Sequence, residues 1–231
     1  MTQDHKYWEQ RSLLDQKRDW DKRSENWIED YRNSIDHPHR WEIIKELIKL
    51  APFESILEIG CNAGPNLAKI NYSFPNLKLA GIDANYDAIR IAKKWLPKAH
   101  LQVGNISEGL NLKDKEYDIL LSDAVLIYIP PDNIEKVFEE IDRVTKKAVI
   151  LIEWFDESIL GSVKDFHWAR NYTIILETLG FTVFSRKLTK EEWPSFNWEK
   201  NGHLFVATRN DKDLVLDLKL QAKTLKEIPV A

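Results

Sequence analysis

Ser55-Ile-Leu-Glu-Ile-Gly-Cys-Asn-Ala-Gly-Pro-Asn-Leu67 opens with a short apolar run, Ile56, Leu57 and Ile59, and breaks at once into Gly60, Asn62, Gly64 and Pro65 before a helical pattern starts. An apolar run bounded by turn residues reads as a buried parallel strand, so the stretch is a strand, a tight turn and a helix. Small residues in the turn let the backbone come close to a ligand. The free N–H groups of the helix's first turn then point at whatever sits above the strand's carboxyl end. Asn62 suits this turn because Asn enters positive-φ conformations more readily than most residues.

Outward from this stretch, strands alternate with helices, the sign of a parallel sheet covered on both faces. Strands are expected at 55–59, 77–83, 101–103, 117–123 and 148–154, with helices at 65–72, 86–96 and from about Asp132. Asp165 to Leu179 reads as a further helix ended by Gly180, and 181–186 and 202–208 as two last strands. Upstream, Pro38 sits in the first turn of a helix that carries Trp41, Ile44, Leu47 and Leu50 on one face and ends at Ala51-Pro52. Trp20, Trp27 and Tyr31 fall near one face of an earlier helix, which either packs on the body or closes over the site as a lid.

The spacing of the turn discriminates between ligands. A dinucleotide fingerprint, G-x-G-x-x-G, needs small residues at 60, 62 and 65, where this chain has Gly, Asn and Pro. The stretch instead resembles motif I of the class I S-adenosylmethionine-dependent methyltransferases, acidic-x-Gly-x-Gly-x-Gly, as Glu58-x-Gly60-Cys61-Asn62-x-Gly64, with Asn62 the one departure. Asp83 ends the next strand 23 positions on (83 less 60), where a carboxylate can accept both ribose hydroxyls. Asp83 could alternatively cap the helix that starts near Tyr86.

The resemblance covers roughly residues 40 to 208. It implies an α/β, Rossmann-like, doubly wound, seven-stranded and mostly parallel sheet, with an antiparallel edge hairpin and an N-terminal helical extension. Residues 1–40 would be that extension or lid, 41–210 the methyltransferase domain and 211–231 a C-terminal tail. The implied cofactor is S-adenosylmethionine, held by Glu58, Gly60, Cys61, Asn62, Gly64, Asp83 and Ala84. Asn105 and Ile106 would meet the adenine, and Ser122 lies where the fourth strand ends beside the sulfonium. Arg40, on the helix before the first strand, is a candidate for the donor's carboxylate.

Composition narrows the function. The chain has 231 residues, 43% hydrophobic and 30% charged, with a net charge of −4 and a pI near 5.9. A dedicated nucleic-acid binder usually leaves a basic footprint, and the DNA amino-methyltransferase tetrapeptide is missing at Ser122-Asp123-Ala124-Val125, so no DNA partner is expected. Cys61 is the one cysteine, which rules out an intrachain disulfide and a Cys-rich zinc site and fits a reducing compartment. His37 and His39 lack the carboxylate or Cys cluster that a metal would need, so no metal is expected. No run approaches the roughly 18 apolar residues of a membrane span, and the start lacks an apolar core, so a cytoplasmic protein is expected.

Methyl transfer from a sulfonium releases a neutral thioether, so the enzyme chiefly positions and desolvates the acceptor. A hydroxyl acceptor also needs its proton removed by a group within hydrogen-bond reach. His167 is the first choice as base because an imidazole titrates near neutrality, with Asp123 the second catalytic candidate. Tyr128, Trp154, Arg170 and Tyr172 are candidates for binding the acceptor, a small molecule or glycan. The alternatives are an RNA or protein acceptor, or a protein that holds the donor without chemistry. Nothing in the sequence bears on the oligomeric state.

Overall fold

The structure is a computed structural model that describes residues 8–9, 27–164 and 167–209. Its centre is a seven-stranded sheet built from β1 (Ser55–Ile59), β2 (Lys78–Asp83), β3 (His100–Val103), β4 (Tyr117–Asp123), β5 (Thr145–Trp154), β8 (Thr182–Lys187) and β9 (Gly202–Thr208). The spatial order is β3-β2-β1-β4-β5-β9-β8. The first five strands are parallel, whereas β9 runs antiparallel to both β5 and β8. This is the expected doubly wound sheet with an antiparallel hairpin at one edge.

Six of the helices are α1 (Trp27–Asn33), α2 (His39–Leu50), α3 (Pro65–Ser73), α4 (Tyr86–Trp95), α5 (Pro131–Val144) and α6 (Tyr172–Thr178). They divide the core into two layers. On one face α2, α3 and α4 bury Ile43, Leu47, Leu67 and Ala92 against β1 and its neighbours. On the other α5 and α6 bury Val137, Phe138, Ile141, Tyr172 and Leu176. Strands β1 and β4 are covered on both sides, and their near-continuous apolar runs follow from that.

Three departures from the sequence reading have local causes. The segment expected as a helix from Asp165 is not one: β6 (Ser162–Lys164) and β7 (His167–Ala169) pair antiparallel, and α6 begins only at Tyr172. Asn171 is the reason for the late start, since its side chain accepts from the N–H of Ile174 as an N-cap, while Arg170 N–H donates to Trp154 O at 3.0 Å. The segment after β8 contains a short helix, α7 (Phe196–Asn201), which seats Trp198 in the core. Helix α2 starts at His39 without a side-chain cap, its entry shaped by a 3-10 turn over Ser34–Asp36. Trp20 and the tail 211–231 lie outside the described residues.

Candidate functional site

The turn after β1 runs through three left-handed residues, Gly60 at φ 66°, Asn62 at φ 49° and Gly64 at φ 78°. It is tied to β2 by the N–H of Cys61, which donates to Ile82 O at 3.0 Å, and by the N–H of Asn62, which donates to Asp83 Oδ2 at 2.8 Å. Asn62 also closes on itself, its Oδ1 accepting from Ala63 N–H at 2.7 Å, which explains why Asn replaces glycine there. The Cys61 side chain is buried beneath the turn, where a Cβ on Gly81 would lie 2.7 Å from its sulfur. Cys61 therefore offers a ligand its backbone alone.

Asp83 is not the cap of α4. Asn85 has that role, accepting from Ala88 N–H at 3.0 Å, and its own N–H donates to Asp83 Oδ1 at 2.8 Å. Both Asp83 oxygens are thus oriented by backbone N–H groups at the carboxyl end of β2. Burial pushes its carboxyl up to about 6, against the pull of those two donors. Ala84 follows, half-buried, and Asn105 and Ile106 stand beyond β3. Two residues of the N-terminal segment reach this edge. Asn85 Nδ2 donates to Trp8 O at 2.8 Å, Asn105 Nδ2 donates to Glu9 Oε1 at 2.6 Å, and the Trp8 ring meets Tyr128 edge-on at 5.2 Å.

At the ends of β1 and β4 four segments converge on two carboxylates. Asn66, from the first turn of α3, donates from Nδ2 to Glu58 Oε1 at 2.7 Å and to Asp123 Oδ2 at 2.8 Å. His39 Nε2 lies 2.8 Å from the same Asp123 oxygen. Arg40 Nη1 donates to Asn66 Oδ1 at 2.6 Å and to Asp123 Oδ2 at 3.3 Å. Burial raises the Asp123 carboxyl, but the His39 and Arg40 charges and the Asn66 bond outweigh it and hold the group at about 2. Glu58 is 1% exposed, and burial lifts its carboxyl well above the usual range. Glu58 Oε2 and Asp123 Oδ1 are buried and have no hydrogen-bond partner.

Those two orphaned acceptors, facing a turn whose first glycine has no room for a side chain, test the fit to S-adenosylmethionine. An α-ammonium is the cation that buried, unpaired carboxylate oxygens accept, and Asp83 stands where a ribose diol is met. The residues present fit the donor. Arg40 differs from expectation: its Nε donates to Ser34 O at 2.9 Å and its Nη2 to Ser34 Oγ at 2.7 Å, so it braces Asp123 and Asn66 from behind. His39 and Asn66 are the residues of this site that sequence reasoning did not assign. The position of Asn66 in the first turn of α3, directly after the glycine turn, was the available signal.

Beside Asp123 the carboxyl ends of β4 and β5 carry a run of rings. Trp193 stacks on His39 at 4.0 Å and on Trp198 at 3.7 Å, and Trp198 meets Trp154 edge-on at 5.9 Å. His167 completes the run between Trp154 at 4.9 Å and Tyr128 at 5.0 Å. The loop bearing Trp193 is pinned by Arg186, which bonds both oxygens of Glu192 and also Glu42 of α2, each at 2.8 Å.

Ser122, Arg170 and Tyr172 have other work. Arg170 is fully buried and its Nη1 donates to Leu126 O at 2.9 Å, its Nη2 to Ile129 O and its Nε to Leu160 O at 3.2 Å. Glu153 grips the same loop from the other side, accepting from the N–H groups of Val125 and Leu126 and from Ser122 Oγ at 3.0, 3.0 and 2.8 Å. Burial pushes the Glu153 carboxyl up to about 7 against these donors. A carboxylate at the start of the 3-10 turn Leu126–Tyr128 and a guanidinium at its end match the turn's dipole. Tyr172 is buried between Phe138 and Phe205 in the core. Arg170 thus holds the loop after β4 and Tyr172 packs in the core, so both side chains are occupied within the protein.

A depression of about 770 Å³ lined by Phe53, Ser55, Phe74, Lys78, Glu116 and Asp118 opens at the amino ends of the strands, the edge opposite the site. Active sites of open α/β sheets lie at the carboxyl ends, so its position argues against a part in the chemistry. Among the described residues no group of three His, Cys, Asp or Glu is arranged to hold a metal ion, and no helix is long and apolar enough to cross a membrane.

Residues 56–148, from β1 to the first residues of β5, match the family model described as a methyltransferase domain. An uncharacterized protein of Haemophilus influenzae is 24% identical over 174 residues, covering 72% of this chain and 64% of its own length. A trans-aconitate 2-methyltransferase of Deinococcus radiodurans is 28% identical over 90 residues, 38% of this chain and 33% of its own. The chain therefore spans less than two thirds of these relatives. A crystal structure of a SAM-dependent methyltransferase from Aquifex aeolicus shares the fold with a TM-score of 0.57 at 18% identity, over 79% of this chain and 97% of that one. Residues 56–148 of this chain thus match a methyltransferase domain, and the sheet that contains them has the fold of solved SAM-dependent methyltransferases.

Proposed function

We propose that the protein is a cytoplasmic S-adenosylmethionine-dependent methyltransferase that methylates an oxygen of a small molecule or glycan. The observation that carries this reading is the run of rings beside Asp123. An aromatic wall takes a compact planar or sugar acceptor and screens it from water, and the chain's net charge of −4 offers no basic track for nucleic acid. Similarity to a trans-aconitate 2-methyltransferase, named for a small acid, points to the same substrate size. Trp8 and Glu9, bonded to Asn85 and Asn105 at the adenine edge, support the N-terminal segment as a lid over the donor.

In this reading Glu58 and Asp123 receive the ammonium, Asp83 the ribose, and Asn105 with Ile106 the adenine. Calorimetric titration with S-adenosylhomocysteine tests it. Asp83→Ala is expected to weaken binding by about 1–3 kcal/mol, the effect of unpaired buried hydrogen-bond sites. A second expectation follows from the Asp83 carboxyl lying near 6. Accepting both hydroxyls needs the ionised form, which is full above that pH, so affinity is expected to fall as pH drops through about 6. Asp83→Asn should remove this dependence, and an unchanged pH dependence in that variant would place the ribose elsewhere.

A further inference from the structure

On the reading of the chain as an O-methyltransferase of a small molecule or glycan, we propose that Trp154 selects the acceptor: its indole N–H binds a second oxygen of that molecule, beside the hydroxyl that is methylated, and the acceptor is uncharged. Trp154 is 3% exposed, and its Nε1 is buried with no hydrogen-bond partner. An indole has one proton to donate and nothing to accept with, and when buried it ordinarily finds an oxygen. Trp95 shows the ordinary case, its Nε1 donating to Ala63 O at 2.7 Å. Trp154 is desolvated without that compensation, which leaves its donor for an incoming oxygen.

Strand pairing puts this donor at the site. Ile152 of β5 pairs with Asp123 of β4, and side chains two apart on a strand share a face. Trp154 therefore stands on the same side of the sheet as Asp123, about 7 Å further along the strand direction. Its backbone is fixed, since its carbonyl accepts from Arg170 N–H at 3.0 Å and Gly202 of β9 pairs with it. Trp198 at 5.9 Å and His167 at 4.9 Å meet its ring edge-on. Glu58 Oε2 and Asp123 Oδ1, which receive the ammonium in the proposed function, are closed from water and unpaired in the same way. One orphaned donor thus lies near two orphaned acceptors, and each suits a ligand group of the opposite character.

The oxygen that Trp154 binds is not the one methylated, because a proton donor on that atom would draw off the electron density that attacks the methyl carbon. The acceptor accordingly carries at least two oxygens. Its charge follows from the surroundings. The Asp123 carboxyl is held at about 2 and is ionised, so an anion buried nearby would meet a like charge. Arg40 is committed to Ser34 and Asp123, Arg170 to the carbonyls of Leu126 and Ile129, and Arg186 to Glu192 and Glu42. A cationic group offers no lone pair to an indole N–H. An uncharged molecule with neighbouring oxygens, such as a diol, a hydroxy-ketone or a sugar, meets both conditions.

The test uses the full chain, methyl-labelled S-adenosylmethionine and a protein-free cell extract separated by ion exchange at neutral pH into anionic, cationic and uncharged fractions, with S-adenosylhomocysteine calorimetry alongside. The expected result is label in products of the uncharged fraction. At limiting amounts of that fraction Trp154→Phe should incorporate about 10-fold less label, the scale of one hydrogen bond. Incorporation should recover as the fraction is raised, because a bond made alike in ground and transition states acts on KM. Donor affinity should be unchanged. In nitrogen-15 spectra of the wild type, the Trp154 indole signal, assigned through the backbone, should be unbonded in the S-adenosylhomocysteine complex and move downfield when the uncharged fraction is added. If the variant does not fold, that signal decides alone. Label confined to products of the anionic or cationic fraction would overturn the proposal. So would equal incorporation by variant and wild type, an indole signal bonded before the acceptor arrives or unmoved by it, or donor binding without any label. Absence of donor binding in the folded wild type would mark a different failure, that of the methyltransferase reading itself.

Discussion

Gly60→Ala is expected to lose S-adenosylhomocysteine affinity by about 30-fold or more, the equivalent of roughly 2 kcal/mol. Two effects add. At φ 66° an L side chain costs about 1–2 kcal/mol, and the new Cβ would lie 2.2 Å from Cγ2 of Val125. Val125 cannot retreat freely, because its own N–H is held by Glu153 Oε1 at 3.0 Å. Either the turn flattens and withdraws its N–H groups from the donor, or the loop after β4 shifts and carries Tyr128 with it. The double variant Gly60→Ala/Val125→Ala separates these effects. It should recover the overpacking part, on the order of 1–3 kcal/mol, and leave the backbone part. Wild-type affinity in the single variant would mean that the donor does not rest on this turn.

Arg170→Met is expected to destabilise the fold by about 3 kcal/mol, read as a lower urea midpoint at unchanged slope. The side chain volume is nearly kept, but the buried carbonyls of Leu126 and Ile129 lose their donors, and each buried acceptor left unpaired costs about 1–3 kcal/mol. The outcome also distinguishes two roles for this residue. An arginine that gripped an anionic acceptor would leave the midpoint in place and reduce turnover alone. Equal stability of variant and wild type would therefore return Arg170 to the acceptor. A lowered midpoint fits a clamp that, together with Glu153, keeps the Leu126–Tyr128 turn beneath the aromatic wall.

The two halves of the site differ in how they are written into the chain. Glu58, Gly60, Asn62, Gly64 and Asp83 could be picked out as candidates from order and spacing, because a strand, a turn and a helix of adjacent residues bring them to the carboxyl ends of β1 and β2. Asn62 even announced its left-handed backbone. Residues 167–169, inside the helix expected from Asp165, form a strand that pairs with 162–164, and only the bond from Arg170 N–H to Trp154 O shows where the helix must wait. No local pattern gives His39 its partner, because Asp123 lies 84 positions away in the chain.

By itself, then, the sequence determined the seven strands of the main sheet, its doubly wound order, and a glycine turn after β1 with a carboxylate at the end of β2. Those features depend on periodicity, on glycine and asparagine conformations, and on distances of a few residues. Only the tertiary structure decided what the charged residues do. Arg40 and Arg170 look alike in the chain as candidates for binding a ligand, yet both are buried among oxygens of the protein itself, Ser34 and Asp123 for one, Leu126 and Ile129 for the other. A polar side chain's role is set by the groups that replace its water, and those arrive from segments that no local pattern connects.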